Sequence, residues 1–159
     1  MKNTFVAFLL LLFVVIPGIA QKVGKEDEEQ SLKRKDVPKA ILTAFEQAYP
    51  KAKIIGYSKE SDEGKTVYEI ESKDGTVSRD ATYADDGTVV SIEESFPYAG
   101  LPDAVHSAVT KDYPKARVGI CEKVTKGTTI QYEVHLKSGK KNVEIVFDSD
   151  GKLVTKENK

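Results

Sequence analysis

The chain has little of what catalytic and metal sites need. Its 159 residues include one cysteine, Cys121, and two histidines, His106 and His135. A single cysteine cannot form an internal disulfide. The histidines have neither the spacing of a helical metal-ligand pair nor a serine and aspartate arrangement for nucleophilic catalysis. Glycine-rich phosphate loops are absent too. The sequence therefore predicts no enzyme, no cofactor and no metal site.

The chain also lacks an excess of basic charge and a long apolar run. It has 24 Lys and Arg against 25 Asp and Glu, a net charge of −1. Nucleic acid is excluded as a partner because its binding needs a basic field that releases counterions. The longest apolar run, residues 5–16, is shorter than the ~20 residues that cross a bilayer. We expect no membrane span in the mature chain.

Residues 1–20 have the features of a secretory signal peptide. Lys2 gives a positive start, residues 5–16 form the apolar core, and small residues precede a cleavage point after Ala20. We predict cleavage there and a periplasmic or secreted mature protein. Without this segment the chain keeps 23 basic and 25 acidic side chains, a net charge of −2.

Residues 21–36 are rich in charge of both signs. Val23 and Leu32 are the only aliphatic side chains in this segment. Such a composition cannot bury enough apolar surface to offset the entropy of ordering. We expect a charged, disordered leader from residue 21 to residue 36.

The rest of the sequence repeats itself at an offset of 64 positions. The aligned segments are 37–40 with 101–104, 49–52 with 113–116, 68–69 with 132–133, and 86–87 with 150–151. A repeat of this length marks a duplicated structural unit. We predict a first α+β repeat at residues 37–95, a linker at 96–100 and a second α+β repeat at 101–159.

Each repeat begins with a helical pattern and continues with strands. Pro38 and Pro102 are typical of helix starts, and apolar side chains then recur every three or four residues. The period next changes to two, with turn dipeptides between the runs. The predicted strands are residues 53–60, 66–72, 76–84 and 88–93, and then 117–124, 130–137, 140–148 and 152–155. The fold class is α+β, with two tandem units of one helix and a four-stranded antiparallel meander.

These motifs together resemble a known family. The order Val/Leu-Pro-x-Ala-x-x-x-Ala, Tyr-Pro-x-Ala, Tyr-Glu-Ile/Val and Asp-Gly, found twice, is similar to the PepSY-like proteins, also described as beta-lactamase-inhibitor-like. The resemblance covers residues 37–93 and 101–155. It implies an exported bacterial module whose tandem units form a curved sheet with the helices on one face. It also implies a binding or inhibitory role rather than an enzyme.

The strand pattern locates a candidate binding surface. Polar residues alternate with apolar ones along residues 130–137, and because a helix covers one face, the polar set should point away from it. The candidate partner-binding residues are Glu69, Glu71, Gln131, Glu133, His135 and Glu144, with Tyr57 as an aromatic anchor. We expect a cationic or polar protein or peptide partner. The alternative is an ordinary solvated sheet face.

His135 and Glu133 share that face, but we expect no hydrogen bond between them. Their face would permit a metal site completed by Glu71 or Glu144. We assign none, because exposed carboxylates near a histidine are common without a metal. Cys121 is expected to be a small buried hydrophobe in a monomer, the alternative being a thiol that links two chains.

The preferred function is an exported, non-catalytic module that presents an open sheet face to a protein or peptide. Two alternatives remain. One is an inhibitor or chaperone of an exported enzyme, which the family resemblance suggests. The other is a sensor that binds a small molecule or a cation, and that would gain thermal stability with its ligand.

Overall fold

The computed structural model describes residues 29–62 and 64–158. The predicted signal peptide at 1–20 and residues 21–28 of the predicted leader lie outside this range. The helices are α1 (Lys39–Ala48) and α2 (Asp103–Asp112). The strands are β1 (Gln30–Ser31), β2 (Lys53–Asp62), β3 (Lys65–Asp74), β4 (Val77–Ala84), β5 (Val89–Phe96), β6 (Arg117–Lys126), β7 (Thr129–Ser138), β8 (Lys141–Asp148) and β9 (Leu153–Asn158).

The nine strands form one antiparallel sheet in chain order, from β1 to β9. The two halves of the chain join where β5 pairs with β6, from Ile92 opposite Thr125 to Phe96 opposite Cys121. The predicted α+β class with an antiparallel sheet is confirmed. The sequence left the continuity of the sheet open, and the structure shows that it is continuous.

The prolines and tyrosines of the repeated motifs bound the helices. Pro38 and Pro102 are the residues directly before α1 and α2, with φ of −52° and −53°. The Pro38 carbonyl accepts hydrogen bonds from the amides of Ile41 and Leu42 at 3.1 and 3.3 Å. Each helix ends before a tyrosine that precedes a proline, since such a residue is disfavoured in helical conformation. The motif residues therefore fix the length of both helices.

Both helices pack on the same side of the sheet, which we call the helix face. The first core cluster contains Val37, Ile41, Phe45, Ile70, Ala81 and Tyr83. The second contains Leu101, Val105, Val109, Cys121, Val134, Leu136, Val143, Ile145 and Phe147. Cys121 is fully buried, as expected of a small hydrophobe, and burial raises the pKa of its thiol to about 11. Each half of the sheet thus has its own apolar core under its own helix.

The expectation of a disordered leader is wrong for residues 29–36. Gln30 and Ser31 pair with β2, and residues 34–36 form a 3-10 turn. Leu32 packs against the first core cluster, and its amide donates a hydrogen bond to the Tyr57 carbonyl at 2.8 Å. The packing of Leu32, the pairing with the edge of β2 and an ion pair of Arg34 with Glu46 at 2.6 Å hold this segment in place. The composition of residues 29–36 does not show that the edge of β2 is open for pairing.

The predicted linker is ordered as well. Phe96 ends β5 and packs against the second core cluster, and residues 98–100 form a second 3-10 turn. The Tyr98 ring lies 4.7 Å from the His106 ring, between centroids. The junction between the two halves is therefore an ordered segment that packs against the second core cluster.

Substituting Gly151 with alanine should cost more stability than the same change at Gly139. Both residues have positive φ, +77° and +64°. A Cβ on Gly151 would lie 2.5 Å from the Ala104 carbonyl oxygen in the first turn of α2, whereas at Gly139 nothing lies within 4 Å. We expect losses of about 2–3 kcal/mol for Gly151→Ala and about 1 kcal/mol for Gly139→Ala. Urea denaturation measures both, and equal losses would contradict the close approach to α2.

Candidate functional site

The face of the sheet opposite the helices is rich in carboxylates. Side chains of directly opposed residues lie on the same face of a sheet. Asp80 pairs with Glu71 and Glu93, and Glu122 pairs with Glu133. We call this surface the acidic face, and its members are Glu69 and Glu71 on β3, Asp80 on β4, Glu93 on β5, Glu122 on β6, Gln131, Glu133 and His135 on β7, and Glu144 on β8.

The structure brings together six of the seven residues predicted from the sequence. The residues on the acidic face are Glu69, Glu71, Gln131, Glu133, His135 and Glu144. Tyr57 lies on the other side, because it pairs with Ile70 of the first core cluster and packs against that cluster. Its placement with the acidic face was wrong. The cause is a bulge in β2 between Ile54 and Gly56, which shifts the alternation by one residue.

The sheet curls towards the acidic face. Lys126 Nζ lies 3.6 Å from Asp62 Oδ2, although Asp62 is on β2 and Lys126 is on β6, with three strands between them. In a flat sheet these two strands would be roughly 19 Å apart. Both side chains point away from the helix face. Tyr57 and Thr125 lie on the helix face, and strand alternation places Asp62 and Lys126 on the other face of the sheet. The acidic face is therefore concave at this end of the sheet.

Curvature buries the carboxylates. Glu69 is 8% exposed, Glu133 is 3% exposed and Glu144 is 2% exposed. The interpretation of this surface as an ordinary solvated face therefore does not hold for these three side chains. Neighbouring strands on the concave side of a curled sheet bring their side chains together, and each carboxylate then loses water to its neighbours. The sequence pattern gives the face of a residue but not the curvature of the sheet.

Burial raises the pKa of several of these groups. It raises the pKa of Glu69 to about 8, of Glu93 to about 9 and of Asp80 to about 6, and nearby carboxylates add to each shift. The pKa values of Glu71 and Glu133 are also raised, again mainly by burial. Removing water and adding like charge both disfavour the ionised form. The protonated forms of Glu69 and Glu93 are therefore favoured at neutral pH.

His135 is surrounded by carboxylates. Its Nε2 lies 2.8 Å from Glu133 Oε1 and 3.1 Å from Glu122 Oε2, and its Nδ1 lies 3.7 Å from Glu144 Oε2. Hydrogen bonds to Glu122 and Glu133 raise the pKa of His135 to about 10. The expectation of no hydrogen bond between His135 and Glu133 was wrong, since both side chains are long enough to meet across two positions on one face.

Glu122, which approaches His135, was not among the residues predicted from the sequence. Glu71 was considered as a residue that could complete a metal site with His135, but it does not lie beside His135. Glu71 lies in the other half of the sheet, where its carboxylate and that of Glu29 approach Glu69. Glu122 follows Cys121, whose side chain is in the core, so alternation alone places Glu122 on the acidic face. That signal was available from the sequence. The register that sets Glu122 opposite Glu133 was not.

The helix face carries a separate polar feature between the two cores. A cleft of about 310 Å³ is lined by residues that include Arg79, Glu94, Lys123 and Tyr132. Arg79 Nε lies 2.7 Å from Glu94 Oε1, and its guanidinium carbon lies 3.8 Å from the centre of the Tyr49 ring. The Arg79 side chain is 8% exposed. The ion pair of Arg79 and Glu94 lies on the helix face in the middle of the sheet and is not part of the acidic face.

The protein is an α+β module that has two helices on one side of an open antiparallel sheet and a carboxylate-rich face on the other. Residues 24–91 and residues 67–155 match the family described as "Putative beta-lactamase-inhibitor-like, PepSY-like". The two matches together span most of the sequence. The chain belongs to this family, as its repeated motifs predicted.

Solved structures share the fold. A protein from Bacteroides eggerthii, described as putative periplasmic, has a TM-score of 0.67 and 16% identity, and the alignment covers 77% of this chain and 88% of that one. A BLIP-like protein from Bacteroides fragilis has a TM-score of 0.61 and 19% identity, with 77% and 86% covered. A DUF2874 family protein from Bacteroides uniformis has a TM-score of 0.65 and 16% identity, with 77% and 89% covered.

Among curated proteins, none matches this sequence. Within residues 29–62 and 64–158, no helix has the length and apolar character needed to cross a membrane.

Proposed function

We propose that this protein is an exported, non-catalytic binding module whose acidic face receives lysine or arginine side chains of a protein or peptide partner. One observation carries the proposal: a concave sheet face, on the side away from both helices, holds carboxylates that are largely removed from water. A structural ion-pair network would match such groups with cations of the same chain. Here Glu69, Glu71 and Asp80 have other carboxylates as their principal electrostatic neighbours.

The partner's charge follows from this arrangement. A cationic side chain that enters the acidic face would stabilise the ionised forms of Glu69 and Asp80 and displace their protons. An anionic partner would raise their pKa values further. Electrostatic complementarity of this kind sets specificity and association rate more than total affinity. We therefore infer a basic protein surface or a basic peptide.

Export and tandem architecture are part of the same proposal. Features of residues 1–20 support export, and so does the likeness in fold to a protein described as periplasmic. Two halves with equal helices and matching strands support descent from one helix-plus-four-strand unit, because α1 and α2 each have 10 residues, as do β3 and β7. Full burial of Cys121 supports a monomer rather than a disulfide-linked pair.

A second candidate function is inhibition or chaperoning of an exported enzyme. It is supported by the family description and by the likeness in fold to a BLIP-like protein from Bacteroides fragilis. In this function the partner would bind the same acidic face. The difference is that the partner would be an enzyme whose activity or folding changes on binding. Co-purification with a hydrolase, followed by an activity assay of that enzyme, separates it from simple binding.

Neutralising two carboxylates of the acidic face should abolish partner capture without unfolding the protein. Glu71 and Asp80 are only partly buried, so Glu71→Gln with Asp80→Asn keeps shape and removes two charges. Asp103→Asn with Asp112→Asn makes the same charge change on exposed positions of α2. We expect at least a tenfold loss of affinity for the captured partner with the first pair and no change with the second.

The measurement has two stages. Immobilised wild-type protein and both double variants are incubated with the exported fraction of the native cell, and the captured protein is then purified and titrated against each by calorimetry. Circular dichroism checks that all three are folded. Equal affinity for the wild type and for Glu71→Gln with Asp80→Asn would exclude the acidic face as the binding surface.

A further inference from the structure

Three side chains of the second half of the sheet converge on one point. Glu122 on β6 lies opposite Glu133 on β7, and His135 follows Glu133 on the same face. One ligand atom from each residue lies within 4.8 Å of the other two. Both carboxylates approach the same ring nitrogen, His135 Nε2, at 2.8 and 3.1 Å. The three ligand atoms therefore face one common point.

A second observation points to a ligand. The Glu133 side chain is 4% exposed, and its Oε1 is the oxygen nearest to His135. Its other oxygen, Oε2, is buried and has no hydrogen-bond partner within the part of the chain that the structure describes. A buried carboxylate oxygen without a partner is costly. A cation bound by this carboxylate would offset that cost.

We propose that Glu122, Glu133 and His135 form a binding site for a divalent transition-metal ion of the Zn²⁺ type. Carboxylate oxygen and imidazole nitrogen are both Zn²⁺ ligands at about 2.0–2.2 Å, and two ligands of a tetrahedral site are then about 3.3 Å apart. The observed separations of 2.8 and 3.1 Å need only a small expansion to admit the ion. The His135 side chain is 33% exposed, so water has access to a fourth position.

The choice of metal follows from the ligand set. Ca²⁺ takes six to eight oxygen ligands, and Mg²⁺ prefers octahedral oxygen and keeps several waters. Imidazole nitrogen favours Zn²⁺, Ni²⁺ or Cu²⁺ over both. Metal binding at Nε2 would release the proton of that nitrogen to solvent, and the two carboxylates would then supply two negative charges that balance a divalent ion. This assignment does not depend on the partner proposed above, although both use the acidic face.

Glu144 acts as a positioning residue for this site. Its Oε2 lies 3.7 Å from His135 Nδ1, on the side of the ring away from Glu122 and Glu133. With a metal on Nε2, the Nδ1 proton would point at this carboxylate. Carboxylates in this outer position orient a ligating imidazole and increase its basicity. Glu144 therefore lies where the outer carboxylate of such a site would be, and a small movement would bring it within hydrogen-bond distance of Nδ1.

Zn²⁺ affinity tests the proposal. Wild-type protein competes with a chromophoric chelator for Zn²⁺, beside His135→Asn, Glu122→Gln and the matched control His106→Asn. His106 is the second histidine of the chain and lies exposed on α2. We expect at least a tenfold loss of Zn²⁺ affinity in His135→Asn and Glu122→Gln, and wild-type affinity in His106→Asn. Ca²⁺ at the same concentration should not displace Zn²⁺.

Magnetic resonance of the wild-type protein gives the same test without any substitution. Substoichiometric Zn²⁺ should shift the ring signals of His135 and leave those of His106 unchanged. Retention of tight Zn²⁺ binding by His135→Asn, or wild-type ring signals of His135 that do not respond to Zn²⁺, would overturn the proposal. Neither result depends on a protein partner, so the failure of this site and the failure of the proposed binding function are distinguishable.

Discussion

Raising the pH from 5 to 8 is expected to lower the free energy of unfolding by about 2–4 kcal/mol. Burial, together with nearby carboxylates, raises the pKa of Glu69 from 4.5 to about 8, of Asp80 from 3.8 to about 6 and of Glu93 from 4.5 to about 9. Between these values the folded state binds more protons than the unfolded state, so stability falls as pH rises. The charged groups that face Glu69 are Glu29, Glu60, Glu71 and Asp80.

The effect is assigned to Glu69 by a matched pair of variants. Glu69→Gln keeps the shape of the side chain and cannot ionise, so it should gain about 1–3 kcal/mol over the wild type at pH 8 and nearly nothing at pH 5. Asp103→Asn, exposed on α2, should follow the wild type at both values. Urea denaturation at pH 5 and pH 8 measures all three. A wild-type protein that is more stable at pH 8 than at pH 5 would show that these carboxylates are ionised in the fold.

Substituting Glu94 with alanine is expected to cost about 2–3 kcal/mol of stability. Glu94 Oε1 accepts the hydrogen bond from Arg79 Nε at 2.7 Å, and the Arg79 side chain is 8% exposed. Removing one partner of a buried ion pair leaves a charge that neither water nor protein compensates, which costs about 3–5 kcal/mol. The Glu94 side chain is 34% exposed, so water entering the space offsets part of that loss.

A second substitution shows whether the cost comes from the unpaired guanidinium. Arg79→Met removes the charge and keeps an unbranched side chain under the Tyr49 ring. The double variant Arg79→Met with Glu94→Ala should recover at least about 1 kcal/mol relative to Glu94→Ala alone. Chemical denaturation of the two single variants and the double variant gives the coupling energy. Strictly additive losses would contradict a specific pair.

The sequence predicted the elements and their faces because these depend on local periodicity. Apolar residues at three- and four-residue spacing fixed the helices, and alternation placed Glu69, Glu133 and Glu144 on the face away from them. Tyr57 was proposed as an aromatic anchor of that face without an argument from alternation, and the bulge at Gly56 in β2 places it on the helix face. A bulge depends on register with the neighbouring strand, which is a non-local property.

The residue pattern itself could not give the curvature of the sheet, which only the family resemblance implied, or the burial that the curvature causes. The contact of Lys126 with Asp62 joins strands that are far apart in a flat sheet. The same curvature turns a predicted solvated face into one where Glu133 is 3% exposed. Arg79 is a further departure from the repeat, since the equivalent position is Val143 in the second core cluster. The position of Arg79 on the helix face therefore follows from a difference between the two halves of the sequence and not from what they share.

The measurement that tests the central claim most directly is a map of backbone amide signals during titration with a lysine-rich peptide. A glutamate-rich peptide of the same length is the control. We expect shifts concentrated on β3 to β8 around Glu71, Asp80 and Glu122, with α1 and α2 unaffected and no response to the control peptide. Shifts confined to the helix face, or equal responses to both peptides, would contradict a binding module that uses its acidic face.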